Sequence, residues 1–265
     1  IYGVVTSTSI IDLFKAGFLP GIMMGIALMI TSYIISKKNG YVGTSKRATM
    51  KEVWESFKDA IWALLSPVII LGGIYSGYFT PTEAAVISVV YSAIVGRFVY
   101  KELDNEAFYK AFKDTIVING ATTFMVGLSM AFAAYLSLQQ IPTTIAAAIT
   151  SVTSDKILLL IMINLFLLLV GTLIDNIPAT IILSPILLPV VKEFGMSPVT
   201  FGIMLTMNLA IGFVTPPYGI NLFVASAISN ISIGRMMKFM KYLILALLIV
   251  LALVTYFPLT TMIFL

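Results

Sequence analysis

Gly171-Thr172-Leu173-Ile174-Asp175-Asn176-Ile177-Pro178-Ala179-Thr180 puts an acid, an amide and a proline inside an otherwise apolar stretch. Asp175 lies 19 residues from Lys156 and 17 from Lys192, with no other charge between them. A charge at bilayer depth costs roughly 2.5–3.5 kcal/mol on insertion scales, which makes this one informative. Pro178 cannot continue an upstream helix without losing a backbone bond, but it suits the first turn of a new one. The stretch therefore predicts a helix end, an irregular turn holding Asp175 and Asn176, and a helix start at the tip of a hairpin over 156–193. Freed carbonyls with carboxylate and hydroxyl oxygens suit a hard cation, while N–H groups at the new helix start favour an anion. The competing reading is an Asp that packs the turn, protonated or held by amide groups.

A second break follows at Asn208-Leu209-Ala210-Ile211-Gly212-Phe213-Val214-Thr215-Pro216-Pro217-Tyr218-Gly219-Ile220-Asn221, within an uncharged run of 41 residues. Pro216 and Pro217, bracketed by Gly212 and Gly219, predict that one half-helix ends and another begins. A simple proline kink is the alternative. Irregular backbone at membrane depth is tolerated only where protein or a water-filled cavity satisfies it. A hairpin tip meeting a broken span at mid-membrane is the pattern of secondary transporters that bind near the midplane.

The rest of the chain fits a bilayer. Of 265 residues, 16 are Lys or Arg and 12 Asp or Glu; 59% are apolar, with a mean hydropathy of +1.03. Uncharged runs also cover 16–36, 60–82, 115–154 and 242–265, and a crossing helix needs roughly 20 apolar residues. The fold class is all-α, a polytopic membrane protein with a re-entrant helical hairpin and a discontinuous transmembrane helix. Lysines and arginines mark cytoplasmic loops, so Lys37, Lys38, Lys46, Arg47 and Lys51 are expected inside, with Arg97, Lys101, Lys110, Lys113, Arg235, Lys238 and Lys241. Between Gln139 (outside) and Arg235 (inside) the chain must cross an odd number of times. That works if 156–193 enters and leaves on one side and 198–234 crosses once with an unwound centre. Two full crossings by 156–193 would also fit; the hairpin is preferred because the uncharged run 176–191 of its second arm is only 16 residues with two prolines.

Two segments, 46–61 and 104–116, have an apolar stripe at helical spacing and read as surface helices along the cytoplasmic face. Thr49-x-x-Glu52 and Thr80-Pro81-Thr82-Glu83 read as capping boxes, which gives Glu83 a structural explanation. Gly17, Gly21 and Gly25 read as a close-packing face. The expected regions are 1–40, a cytoplasmic segment 41–59, spans over 60–140, the hairpin and broken helix over 141–234, and a terminal span 235–265. With no His and no Cys, the chain has no Ser-His-Asp triad, thiol nucleophile or disulfide. It has no P-loop either, and its net charge of +4 reflects loop lysines rather than a nucleic-acid footprint. No catalytic residue is assigned.

Gly77-Tyr78-Phe79-Thr80-Pro81-Thr82-Glu83-Ala84-Ala85, Asp175 through Ala179 and the Thr-Pro-Pro segment resemble signatures of the large membrane subunit of TRAP (tripartite ATP-independent periplasmic) transporters. The opening Tyr2-Gly3, with Leu13 through Gly21, resembles the segment after the first proline-pair break of that family. The resemblance implies an inverted-repeat elevator transporter of the bacterial inner membrane whose first repeat is truncated here, with Tyr2-Gly3 and Tyr218-Gly219 as equivalent positions. It implies sodium-coupled import of organic acids such as a sialic acid or a dicarboxylate, with no organic cofactor. It also implies a small membrane subunit and a periplasmic substrate-binding protein as partners. The expected sodium ligands are Thr172, Asp175, Asn176, Thr180, Gly212 and Thr215. The expected substrate contacts are Ser184, Pro217 and Asn221, beside half-helix starts after Pro178 and Pro217. Two alternatives remain: a divalent-anion/sodium symporter without a binding protein, and a non-transporting membrane scaffold or channel.

Overall fold

In a computed structural model, the described residues are 1–41, 48–141, 144–145, 147–148, 155–217 and 219–265. Lys46, Arg47 and Tyr218, used in the sequence reading, lie outside them. The helices are α1 (Tyr2–Thr6), α2 (Ile10–Lys38), α3 (Met50–Tyr75), α4 (Pro81–Ile94, extended by a π turn, Val95–Val99), α5 (Asn105–Leu138), α6 (Lys156–Leu173), α7 (Asn176–Glu193), α8 (Pro198–Gly212), α9 (Ile220–Ser229), α10 (Ile233–Tyr256) and α11 (Leu259–Met262). Among the described residues, six helices are long and apolar enough to cross a membrane: α2, α3, α4 with its π turn, α6, α7 and α10. The all-α membrane class holds.

The chain forms two compact units, residues 41–123 and residues 1–40 with 124–265. In the smaller unit, α3 and α4 form a helical hairpin. Tyr91 Oη donates to the Trp62 carbonyl at 2.6 Å and Tyr100 Oη to the Asp59 carbonyl at 3.0 Å. Both capping boxes are present, each Thr accepting from the Glu N–H and each Glu accepting from the Thr N–H. The two expected surface helices are not separate elements. The amphipathic stripe of 46–61 runs into the second span as the single 26-residue α3, and that of 104–116 opens the 34-residue α5. Neither junction holds a Gly or Pro to stop the helix, so the hydrogen-bond ladder continues.

In the larger unit, α6, α7, α8 and α10 surround a core that includes Leu159, Leu167, Val190, Phe201, Leu205 and Val254. α2 lies antiparallel to α10: Phe18 meets Phe264 edge-on at 5.9 Å, and Lys38 shares a cleft with Lys238 and Lys241. The expected glycine seam is only partly used. Gly17 faces Ile203, but nothing lies within 4 Å of a Cβ placed on Gly21 or Gly25.

A cavity of about 700 Å³ is lined by Lys156 opening α6, Gly195 and Ser197 between α7 and α8, and Tyr256 ending α10. The hairpin therefore enters and leaves at one end of the unit, beside the end of α10 remote from Lys238. The length argument against two crossings does not survive, because α7 is an unbroken 18-residue helix through Pro185 and Pro189. At 1.5 Å per residue each arm is about 27 Å long, nearly the roughly 30 Å hydrocarbon thickness.

Candidate ion and substrate site at two helix breaks

Ile174 and Asp175 alone separate α6 from α7, both with extended backbone. Asp175 is the N-cap of α7: its Oδ1 accepts the Asn176 N–H at 2.7 Å. Pro178 stands in the first turn, two residues after the helix start. The turn is as expected, but the start is a poorer anion site than the sequence suggested. The Asn176 N–H is already capped by a carboxylate, Pro178 has no N–H, and the Ala179 N–H is bonded to the Asp175 carbonyl at 3.2 Å.

α8 ends at Gly212, and residues 213–217 and 219 are non-helical, so the unwound centre is present rather than a kink. Thr215 N–H bonds to the Gly212 carbonyl at 2.9 Å, and Asn221 N–H reaches back to the Phe213 carbonyl at 3.2 Å. The second half-helix starts after Gly219, not directly after Pro217. Gly219 has φ of 36°, a left-handed conformation that favours glycine. Pro216, Pro217 and the Asn221 side chain are exposed.

The two breaks meet backbone to backbone. A Cβ on Gly212 would lie 2.3 Å from the Gly171 carbonyl carbon, and one on Gly171 would lie 2.9 Å from Leu209 Cα. Two helix C-termini, those of α6 and α8, thus converge, each carrying the negative end of its dipole and carbonyls without helical partners. Around them the hydroxyls donate to oxygens: Thr172 to the Leu169 carbonyl, Thr215 to the Ile211 carbonyl and Thr180 to Asn176 Oδ1, at 2.7, 2.7 and 3.0 Å. A hydroxyl that spends its proton in this way keeps its lone pairs for an electrophile. Negative dipole ends and oxygen lone pairs are donors of the kind that a hard cation takes.

Asn176 and Thr180 also line an adjoining cleft of about 330 Å³ with Tyr2, Gly3, Phe14 and Thr206. Tyr2 anchors this wall by donating from Oη to the Pro198 carbonyl at 2.6 Å. Among the described residues, no Lys or Arg lines the cleft. Ser184 is not brought there: it is 0% exposed, and its hydroxyl bonds to the Thr180 carbonyl within α7.

Sequence reasoning missed a buried polar chain behind the site. Asn208 Nδ2 donates to Asn164 Oδ1 at 2.7 Å, and Asn164 Nδ2 donates to Thr255 Oγ1 at 3.4 Å. This links α8, α6 and α10. The available signal was Asn164 itself, the one polar residue in 157–170, since a lone amide in hydrocarbon must find a partner. Thr206 carried no comparable signal.

A sequence model of the tripartite ATP-independent periplasmic transporter, DctM component, matches residues 1–260. An isethionate TRAP transporter permease protein of Oleidesulfovibrio alaskensis is 43% identical over 264 residues, covering 100% of this chain and 42% of the relative. A sialic acid TRAP transporter large permease protein of Vibrio cholerae is 42% identical over 258 residues, covering 97% of this chain and 60% of the relative. A C4-dicarboxylate TRAP transporter large permease protein of Pseudomonas aeruginosa is 37% identical over 258 residues, with the same two shares. The chain thus spans between 42% and 60% of the length of these relatives, which are named as permeases rather than enzymes. With a family match over nearly its whole length and, among the described residues, six helices long and apolar enough to cross a membrane, this multi-pass inner-membrane chain belongs to the DctM component family of tripartite ATP-independent periplasmic transporters.

Proposed function

We propose that the chain forms the ion- and substrate-handling part of the large permease subunit of a sodium-coupled importer of small organic acids. It works with a small membrane subunit and a periplasmic substrate-binding protein. The observation that carries this reading is the meeting of the α6 and α8 C-termini at Gly171 and Gly212, beside the carboxylate of Asp175. A bound sodium ion would supply positive charge at this point. The free carboxylate oxygen of Asp175, the Gly212 carbonyl and the hydroxyls of Thr172 and Thr215 would hold it, with Asn176 and Thr180 at the edge shared with the cleft.

The cargo class is supported by relatives named for isethionate, sialic acid and C4-dicarboxylate, all of them organic acids. Since, among the described residues, no cation lines the cleft and the α7 start is largely capped, the acid group is held by dipoles and hydroxyls, with Thr206 and Asn176 at the wall. Pro217 and Asn221 are exposed and are not among the described residues that line the cleft. Proteoliposomes containing the complete complex decide the matter, with an imposed sodium gradient and with or without binding protein. Uptake of an organic acid that needs both is expected. Uptake without the binding protein points to a simple sodium symporter, and non-saturating flux points to a channel; either result ends this reading.

A further inference from the structure

At the end of the larger unit remote from Lys156, the last turns of α2 and the first turns of α10 enclose a cleft of about 370 Å³. Its lining is basic toward the helix ends, at Lys38, Lys238 and Lys241, and continues along α2 to Ile34 and Thr31 and along α10 to Tyr242. Thr31 is seven residues below Lys38 on α2, so the cleft descends by about 10 Å along the helix.

The charge here has no internal counterpart. No Asp or Glu occurs from 13 to 51 or from 194 to 265. Among the described residues the one ion pair joins Lys51 to Glu55, and none of the three lysines lining the cleft is paired. Lys238 and Lys241 instead rest near the rings of Phe239 and Tyr242, at 5.9 and 5.0 Å. Arg235 adds a further charge in the first turn of α10, where the helix dipole is already positive, no acid is present and Ser232 makes no side-chain cap. On α2 the lysines complement the dipole of the helix C-terminus; on α10 the cations oppose it. Helix chemistry therefore accounts for Lys38 but not for the α10 cluster.

We infer that this cleft is a binding site for an anionic phospholipid, with the phosphodiester at Lys38, Lys238 and Lys241 and an acyl chain along Ile34 and Tyr242. The choice of occupant rests on shape and charge together. A free phosphate would meet only the lysines, whereas the lining beyond them opens on exposed Ile34, Tyr242 and Leu245, surfaces suited to hydrocarbon. By the positive-inside rule the lysines lie at the cytoplasmic face, the leaflet whose anionic lipids attract basic clusters.

Native mass spectrometry of the full chain, released from mixed phosphatidylglycerol and phosphatidylethanolamine micelles, provides the test. Selective retention of phosphatidylglycerol is expected, weakened roughly five-fold for each lysine removed in Lys38→Gln, Lys238→Gln and Lys241→Gln. The triple arginine variant keeps the charge and should keep the lipid, which separates loss of the site from loss of the fold. Lys101→Gln with Lys110→Gln and Lys113→Gln, which removes equal charge elsewhere, should leave retention unchanged. Equal retention of the two lipids, as when an acidic protein segment fills the cleft, overturns the site. So does an equal loss in the Lys101/Lys110/Lys113 variant. Displacement by millimolar glycerol phosphate as readily as by lipid shows a soluble phosphate ligand instead and overturns the lipid assignment.

Discussion

At the scale of single residues, the capping role of Asp175 and the sodium role proposed for it can be separated by one substitution. Its Oδ1 caps α7, and asparagine caps a helix as well as aspartate does. Asp175→Asn therefore preserves the turn and removes only the charge. Sodium-dependent uptake in proteoliposomes should fall severely, with the half-saturating sodium concentration raised at least about tenfold, the shift expected from losing one charge-assisted contact. Membrane insertion and docking of the binding protein should be intact. An unchanged sodium response would leave Asp175 as a capping residue and nothing more. The glycines give a second pair. Gly212→Ala drives a methyl into the Gly171 backbone and should cost about 1–3 kcal/mol or more, as overpacking does. Gly21→Ala meets open space and should leave detergent melting unchanged or slightly raised. The breaks at Asp175 and Asn176 and after Gly212 were legible because polar, glycine and proline residues are conspicuous in apolar sequence. Ser184 misled because a hydroxyl one turn beyond Thr180 reads as part of the same site. Only the packing of α7 shows that its face is turned inward.

At the scale of elements, both breaks were readable and the helix lengths were not. Proline and glycine announce an interruption through their own backbone chemistry. Continuity across the junctions near 60 in α3 and 116 in α5 rests on the absence of such a signal there, and a change from amphipathic to wholly apolar sequence resembles a boundary without being one. The polar chain Asn208–Asn164–Thr255 was hidden for a different reason. Its members are 44 and 91 residues apart, and only the packing of α6, α8 and α10 joins them. It makes a testable contribution to how these three helices hold together. Asn164→Leu leaves the Asn208 Nδ2 with the Met204 carbonyl alone, at 2.8 Å, on an amide whose Oδ1 already has no partner among the described residues. That change should cost about 1 kcal/mol. Asn164→Leu with Asn208→Leu removes both ends and should recover most of the loss. Equal melting losses for the single and double variants would show that the bond between them contributes nothing.

At the scale of the whole molecule, the lysine pattern fixes orientation. Lys38 and Lys238 sit at one end of the larger unit, and the hairpin opens at the other. The chain has no native cysteine, so labelling is clean. A cysteine at Tyr41 should be protected from an impermeant thiol reagent in intact cells, while one at Tyr78, 83% exposed between α3 and α4, should react. The reverse pattern would invert the topology. The contact between Gly171 and Gly212 then has a mechanical consequence. Most helix contacts are cushioned by side chains, whose rotamers can take up a fraction of an ångström before the backbone feels it. Here peptide planes touch directly, so there is no compliant layer. A small displacement of the hairpin tip passes undamped to the end of α8, or the two ends separate outright, with no intermediate spacing that side chains could fill.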